Sequence, residues 1–297
     1  MSFCWDVQQQ LQAQISASGG SVPPRETRSI KLRRMEIGGE IRNVSIRLVE
    51  TSERIEAACH LINDRYAWRG YGSDHRIPAD AYHMTFTAEV DDEVVGTITL
   101  AVDSEHGLAA DRAFEDDINQ FRATPGRRVC ELTKFAFGST IKSKELMAAL
   151  FHIVFIYGHR THGSTDLFIE VNPRHVRFYE TMLGFERVGP VKTNDSVAAP
   201  AQLMWLKVGA IRDFIDECAG SGETAHARSL YPFFFSPTEE DGIYRRLARP
   251  EKSVKPLDRS GVHSGMDAAA FLDSYRLGNR IASSASPIAP NHQLAGH

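Results

Sequence analysis

The sequence predicts a mixed α/β domain: one central sheet with both antiparallel and parallel strand pairs, flanked by helices. Three observations carry this. AYHMTFTAEV and EVVGTITLAV both alternate like strands and are separated only by Asp91-Asp92, which reads as a tight antiparallel hairpin. RRVCELTKFAFGS, KELMAALFHIVFIYGHRTH and TDLFIEV follow as strand, long apolar helix and short apolar strand, the pattern of a right-handed crossover between parallel strands. A chain of 297 residues, 42% hydrophobic, can bury one good-sized core and still leave tails. Ligands of such sheets gather at the carboxyl ends of parallel strands.

The elements follow in order. Residues 1–42 read as a flexible N-terminal arm, because SASGGSVPPRETRS has no periodicity and IKLRRMEIGGEIR is locally basic and solvated. The domain opens at VSIRLVE (44–50), an alternating strand. TSERIEAACHLINDRYAW is a helix that Thr51 or Ser52 caps, with Ile55, Ala58, Cys59 and Ile62 as its apolar face. The hairpin follows, then a polar connection with a helix at AADRAFEDDINQFRA, then the crossover unit. VNPRHVRFYETMLGFERVG brings the chain out of the central strand. Asn172 caps a helix that Pro173 begins, and Gly184 stops it. LMWLKV (203–208) is the last strand, DFIDECA a short helix, and LYPFFFSP an aromatic loop placed to form a lid or entrance. Residues 43–250 thus form the domain, and 251–297 read as a polar, disordered tail.

Composition excludes several classes. A net charge of −4 does not suit a phosphate backbone, so no nucleic-acid partner is expected. Cys4, Cys59, Cys130 and Cys218 are far apart, which fits reduced thiols in a cytoplasm rather than disulfides or a zinc site. No His-x-Glu or HExxH spacing points to a metal, and His83 and His152 read as core-edge histidines. No apolar run approaches a transmembrane span. The basic segment 30–42 leaves room for peripheral contact with anionic lipid.

NPRHVRFYETMLGF resembles the closing motif of the GNAT superfamily of N-acyltransferases, and the element order matches that fold. The resemblance implies splayed parallel strands with the thioester arm of an acyl donor in the gap. It implies that Asn172 contacts the pantetheine arm and that Tyr179 is the general acid for the departing thiolate. Seven residues apart, the two would share one helix face. The superfamily's glycine-rich phosphate loop is missing. Only Gly138, Ser139 and Thr140 stand there, which suits a donor whose pantetheine is carried on a protein.

ELTKFAF (131–137), DRYAWRGYG (64–72) and LAADRAFEDDINQFRATPGRR are similar to segments of acyl-homoserine lactone synthases and of FeeM-type long-chain N-acyl amino acid synthases. The NPRHVRFYETMLGF ending and LYPFFFSP favour the FeeM-type group. That resemblance implies an acyltransferase with no tightly bound cofactor. Its donor would be the acyl-4'-phosphopantetheine of acyl carrier protein, or acyl-CoA, and its acceptor a small amino acid.

Chemistry then assigns the remaining roles. Glu131, early on the strand bordering the gap, is the candidate general base. Lys134 would face away from it on a regular strand, unless a bulge intervenes. Phe135, Ala136, Phe137, Gly138 and Ser139 would line the donor with Asn172, and backbone N–H groups of 133–138 would hold the oxyanion. The resemblance implies that Arg65, Trp68 and Tyr71 cover the acceptor, and Arg65 is able to grip a carboxylate. Leu146, Leu150, Phe168 and Phe233-Phe234-Phe235 join Phe135 and Phe137 as candidates for an acyl slot. Arg127, Arg128, Lys142 and Lys144 form the expected docking patch for an acidic carrier. A lactone-forming synthase using S-adenosylmethionine and a non-catalytic acyl-carrier or acyl-lipid binding protein are the other readings.

Overall fold

The computed structural model describes residues 28–221 and 228–248. Strands β1 (Ser29–Lys31), β4 (Val44–Leu48), β5 (His83–Val90), β6 (Glu93–Val102), β7 (Val129–Phe137), β8 (Asp166–Val171), β9 (Glu186–Asn194) and β10 (Ala199–Lys207) form one sheet. Its order is β1-β4-β5-β6-β7-β8-β10-β9. Strands β2 (Met35–Ile37) and β3 (Glu40–Arg42) pair separately. The helices are α1 (Ser52–Ala67), α2 (Asp111–Arg122), α3 (Lys144–His162), α4 (Val176–Leu183), α5 (Val208–Cys218) and α6 (Pro237–Leu247).

The two diagnostic units are present. Asp91 and Asp92 take φ of 49° and 69°, the left-handed turn whose twist matches a hairpin. Helix α3 links β7 to β8, a parallel pair, and is buried on almost every side from Leu146 to Gly158. Ser143 caps it by accepting from the Leu146 N–H, and Gly163 at φ 65° ends it.

Strands β7 and β8 hold together only through Val129–Asp166, Cys130–Leu167 and Glu131–Phe168. Beyond those pairs β7 continues to Phe137 and β8 to Val171. The strands splay there, as the resemblance implied, and a gap opens at their carboxyl ends.

Some expectations change. The arm does not extend to residue 42: β1 pairs with β4, and Met35 and Ile37 are buried in the main core. Residues 1–27 and the tail over 251–297 lie outside the described residues. Strand β9 adds to the expected strands; as an edge strand with little to bury it shows no alternation, and its sequence carries Gly189-Pro190. Helix α6 is a further addition to the expected elements; Ser236 and Glu239 form a capping box with Pro237 at the first helical position. Asn172 and Tyr179 do not share an α-helical face. Pro173–His175 is a 3-10 turn, and the α-helix starts only at Val176. No helix among the described residues is long and apolar enough to cross a membrane.

Candidate active site

The two faces of the sheet differ in chemistry. On the α3 face, one continuous apolar cluster runs from β1 to α6. On the opposite face, the apolar residues fall into two groups. One packs α2 against Ala101, Val129 and Phe168, and the other packs α1 against Ala136. Along β7, the residues between these groups are polar.

Cross-strand register defines this seam. His83 pairs with Ala101 and Ala101 with Glu131; Thr85 pairs with Thr99 and Thr99 with Thr133; Thr87 pairs with Thr97 and Thr97 with Ala136. Paired residues project to the same side, so Glu131 and four buried threonine hydroxyls share one face with the Thr133 side chain. Thr85 and Thr99 hydrogen-bond at 2.7 Å. Thr alternating with apolar residues in MTFTAEV and GTITL is the sequence's trace of this face, and by itself it gives only strand periodicity. His83, with Asp80 2.8 Å from its Nδ1, stands in the Glu131 row rather than at the edge of an apolar core.

A bulge lies at the centre of the seam. Thr99 faces Thr133 and Thr97 faces Ala136, so β7 spends one more residue than β6 between these pairs. Lys134 sits there at φ 53°, unusual for a residue with a side chain. The Thr97 hydroxyl donates to the Lys134 carbonyl at 2.7 Å and holds it. The bulge turns Lys134 to the seam side. Burial raises the thiol pKa of Cys59 on α1, and the Lys134 charge opposes that shift. Lys134 and Glu131 thus share a face, as an intervening bulge allows.

Glu131 is buried, and its Oε2 accepts from the N–H groups of Ala109 at 2.8 Å and Ala110 at 3.3 Å. These bonds fix the carboxylate against the start of α2, at the level where β7 and β8 part.

On the α3 face, an apolar cavity of about 30 Å³ lies under the paired amino ends of β7 and β8. Cys130, Leu132 and Leu167 form its sheet side, and Phe151, Phe155 and Phe234 close it. Phe135 packs on Phe151 at 4.9 Å, and Phe137, Leu146 and Leu150 belong to the same cluster. Phe168 does not; it lies on the α2 face against Phe121. The phenylalanine run is not an open lid either. Phe234 is buried, and Phe233 and Phe235 pack on the core.

The remaining residues form a rim. Arg65 lies under Trp68, its guanidinium 5.6 Å from the ring centre, and Trp68 is exposed. The Tyr71 hydroxyl accepts from Arg174 at 3.1 Å, which ties this segment to the turn after β8. Asn172 begins that turn and accepts from the Arg174 N–H. Tyr179 is buried in the α3-face cluster, edge-on to Phe185. Ala136 faces α1, Gly138 donates its N–H to Val95, and Ser139 is exposed.

The expected docking patch is divided. Arg127 bonds Asp166 at 2.8 Å and Arg128 reaches the His162 carbonyl, both at the amino end of β7. Lys142 and Lys144 follow its carboxyl end. Nine residues of strand, roughly 30 Å, separate the pairs.

Residues 57–207 match the family model described as N-acyl amino acid synthase FeeM. The solved FeeM, an N-acyl amino acid synthase from uncultured soil microbes, aligns at 27% identity and TM-score 0.52 over 56% of this chain and 92% of its own. The AHL synthase LasI aligns at 14% identity and TM-score 0.42 over 56% of this chain and 89% of its own. An N-acetyltransferase from Staphylococcus aureus Mu50 aligns at 10% identity and TM-score 0.38 over 56% and 97%. No curated protein matches the chain.

Proposed function

Because the chain belongs to the FeeM family of N-acyl amino acid synthases, and is therefore an acyltransferase, we propose its specific reaction. It moves a long fatty acyl group from the phosphopantetheine arm of acyl carrier protein to the amine of an amino acid. One observation carries this reading. The splay between β7 and β8 opens between a polar seam on one face and the apolar cluster under α3 on the other. A charged amine and an acyl chain need those opposite environments, and a thioester carbonyl in the gap would touch both.

The step balances simply. Glu131 takes a proton from the acceptor ammonium, and the free amine attacks the thioester carbonyl. Backbone N–H groups of 133–138 hold the oxyanion as the new C–N bond forms. The C–S bond breaks, Tyr179 protonates the thiolate and takes back the surplus proton that the new amide nitrogen sheds, Glu131 releases its proton to water, and amide and thiol leave. Asn172, Phe135, Ala136, Phe137, Gly138 and Ser139 would border the donor arm. Trp68 and Tyr71 would border the acceptor entrance.

Two features favour a protein-borne donor over coenzyme A. The loop after β7 spends the Gly138 and Ile141 N–H groups on its own chain, and Ser143 occupies one at the start of α3. Lys142 and Lys144 stand at the open end of the gap, with Arg174 and Arg177 exposed across it. An acidic carrier would dock there. This chemistry belongs in the cytoplasm, where the carrier is charged with fatty acids.

The test is a reconstituted reaction: purified full-length chain, palmitoyl carrier protein and an equimolar mixture of the twenty amino acids. Mass spectrometry should find acyl-amino-acid ions that require the chain. A lactone formed only with added S-adenosylmethionine would replace this reading with a signal synthase. Tight carrier binding without any product would leave a binding protein.

A further inference from the structure

We propose that Lys134 recognises the acceptor's carboxylate and so makes this enzyme select α-amino acids over simple amines. The inference deepens the reading above and rests on it. It starts from backbone geometry. A lysine at φ 53° inside a strand is strained, and such strain persists where surroundings over-determine it. Here the Thr97 hydroxyl and the flanking pairs Thr99–Thr133 and Thr97–Ala136 fix it.

The bulge has a clear chemical result. On a regular strand, Lys134 would project into the apolar cluster under α3. The extra residue turns its side chain to the other face instead, the face that carries Glu131, Thr97, Thr99 and Thr133, where its charge acts on the Cys59 thiol of α1. Lys134 is 3% exposed, so its charge is largely desolvated, and a desolvated ammonium binds an anion strongly. Glu131 and Lys134 lie three positions apart, at most about 10 Å of strand. The lysine side chain spans much of that distance. Their two heads can therefore bracket a group only a few ångströms long, negative at one end and cationic at the other. An α-amino acid is such a group. Its carboxylate would meet Lys134 and its amine Glu131, beside the gap.

Arg65 offers the competing grip. Its guanidinium lies under the Trp68 ring at the end of α1 rather than on the β7 bulge. The test therefore compares both cations. The acceptor is whichever amino acid gives most product from the twenty, assayed beside its own methyl ester, which keeps the amine and removes the negative charge. Wild type should favour the amino acid in kcat/KM by tenfold or more. Lys134→Met should raise KM for the amino acid at least tenfold, move the ester KM less than threefold, and erase the preference. Lys134→Arg should restore part of the preference, and should still separate the two acceptors if the methionine variant does not fold.

Equal losses on amino acid and ester in Lys134→Met would overturn the proposal, as would loss of the preference in Arg65→Met with Lys134 intact. A wild-type enzyme that acylates the ester as well as the amino acid would also overturn it. A wild-type chain that acylates no amine at all would instead remove the reaction it rests on.

Discussion

At the scale of single residues, Glu131 serves the fold and the proposed chemistry through different properties. Its Oε2 fixes the Ala109 and Ala110 N–H groups, which needs only an acceptor oxygen. Proton transfer needs the carboxylate itself. Glu131→Gln should therefore keep its thermal melt within about 1 kcal/mol of wild type and lose roughly 10²–10⁴ in kcat. Glu131→Ala should lose rate and also about 1–3 kcal/mol of stability, since two buried donors lose their partner. A glutamine variant with near-normal rate would remove Glu131 as the base. Tyr179 is less separable, because its ring is part of the α3-face core.

At the scale of elements, helix α6 is fastened to α3 and α5 by a buried polar cluster. His152 stacks on Phe234 at 4.6 Å, and its Nδ1 accepts from the Phe235 N–H at 2.9 Å. Its Nε2 faces Glu240 at 3.5 Å, and Arg212 binds both Glu240 oxygens at 2.6 and 2.7 Å. Burial holds the His152 pKa below its usual 6.5. Burial also works against the Glu240 carboxylate, but the nearby His152 imidazole and the hydrogen bonds from Arg212 outweigh it and hold the group at about 2, below its usual 4.5. Both folded values are depressed, so both contributions are complete at neutral pH and are lost on acidification. The histidine part fades as pH falls below 6.5, and the glutamate part between 4.5 and 2. The glutamate shift corresponds to about 3 kcal/mol. Urea midpoints should be level above pH 7, fall gently to pH 5 and steeply below 4.5. Glu240→Gln should lower the plateau and flatten the steep limb. A midpoint unchanged from pH 7 to 3 would contradict this account.

At the scale of the whole molecule, charge is divided between the two ends of β7. Lys142 and Lys144 stand where the gap opens. Arg127 at the other end neutralises Asp166, which also accepts from the Trp205 indole at 2.8 Å. The Arg127 guanidinium lies 4.9 Å from the Phe121 ring centre as well. Replacing both lysines with alanine should reduce kcat/KM for acyl carrier protein several-fold and flatten its salt dependence, leaving the melt unchanged. Arg127→Ala should do the reverse, costing about 1–3 kcal/mol of stability while the carrier KM stays put. If the arginine variant alone weakens carrier use, the docking face is at the wrong end.

Local sequence determined the hairpin at Asp91-Asp92, the crossover of β7, α3 and β8, the stop at Gly184, and the family that the ending NPRHVRFYETMLGF announces. These features depend on neighbours within a few residues, so spacing alone expresses them. The splay was implied by the resemblance, and the site's chemistry needed more. Strand pairing placed Thr85, Thr97, Thr99, Thr133 and Glu131 on one face, although they come from three separate segments. A one-residue mismatch between β6 and β7 turned Lys134 to the face that carries Glu131, and neither strand records that mismatch by itself. Strand length put Arg127 and Lys142 at opposite ends although they are close in sequence. An unpartnered edge let β9 exist without a periodic pattern. Which residues share a face, an end or a gap is a property of register between distant segments, and only the tertiary structure fixes that register.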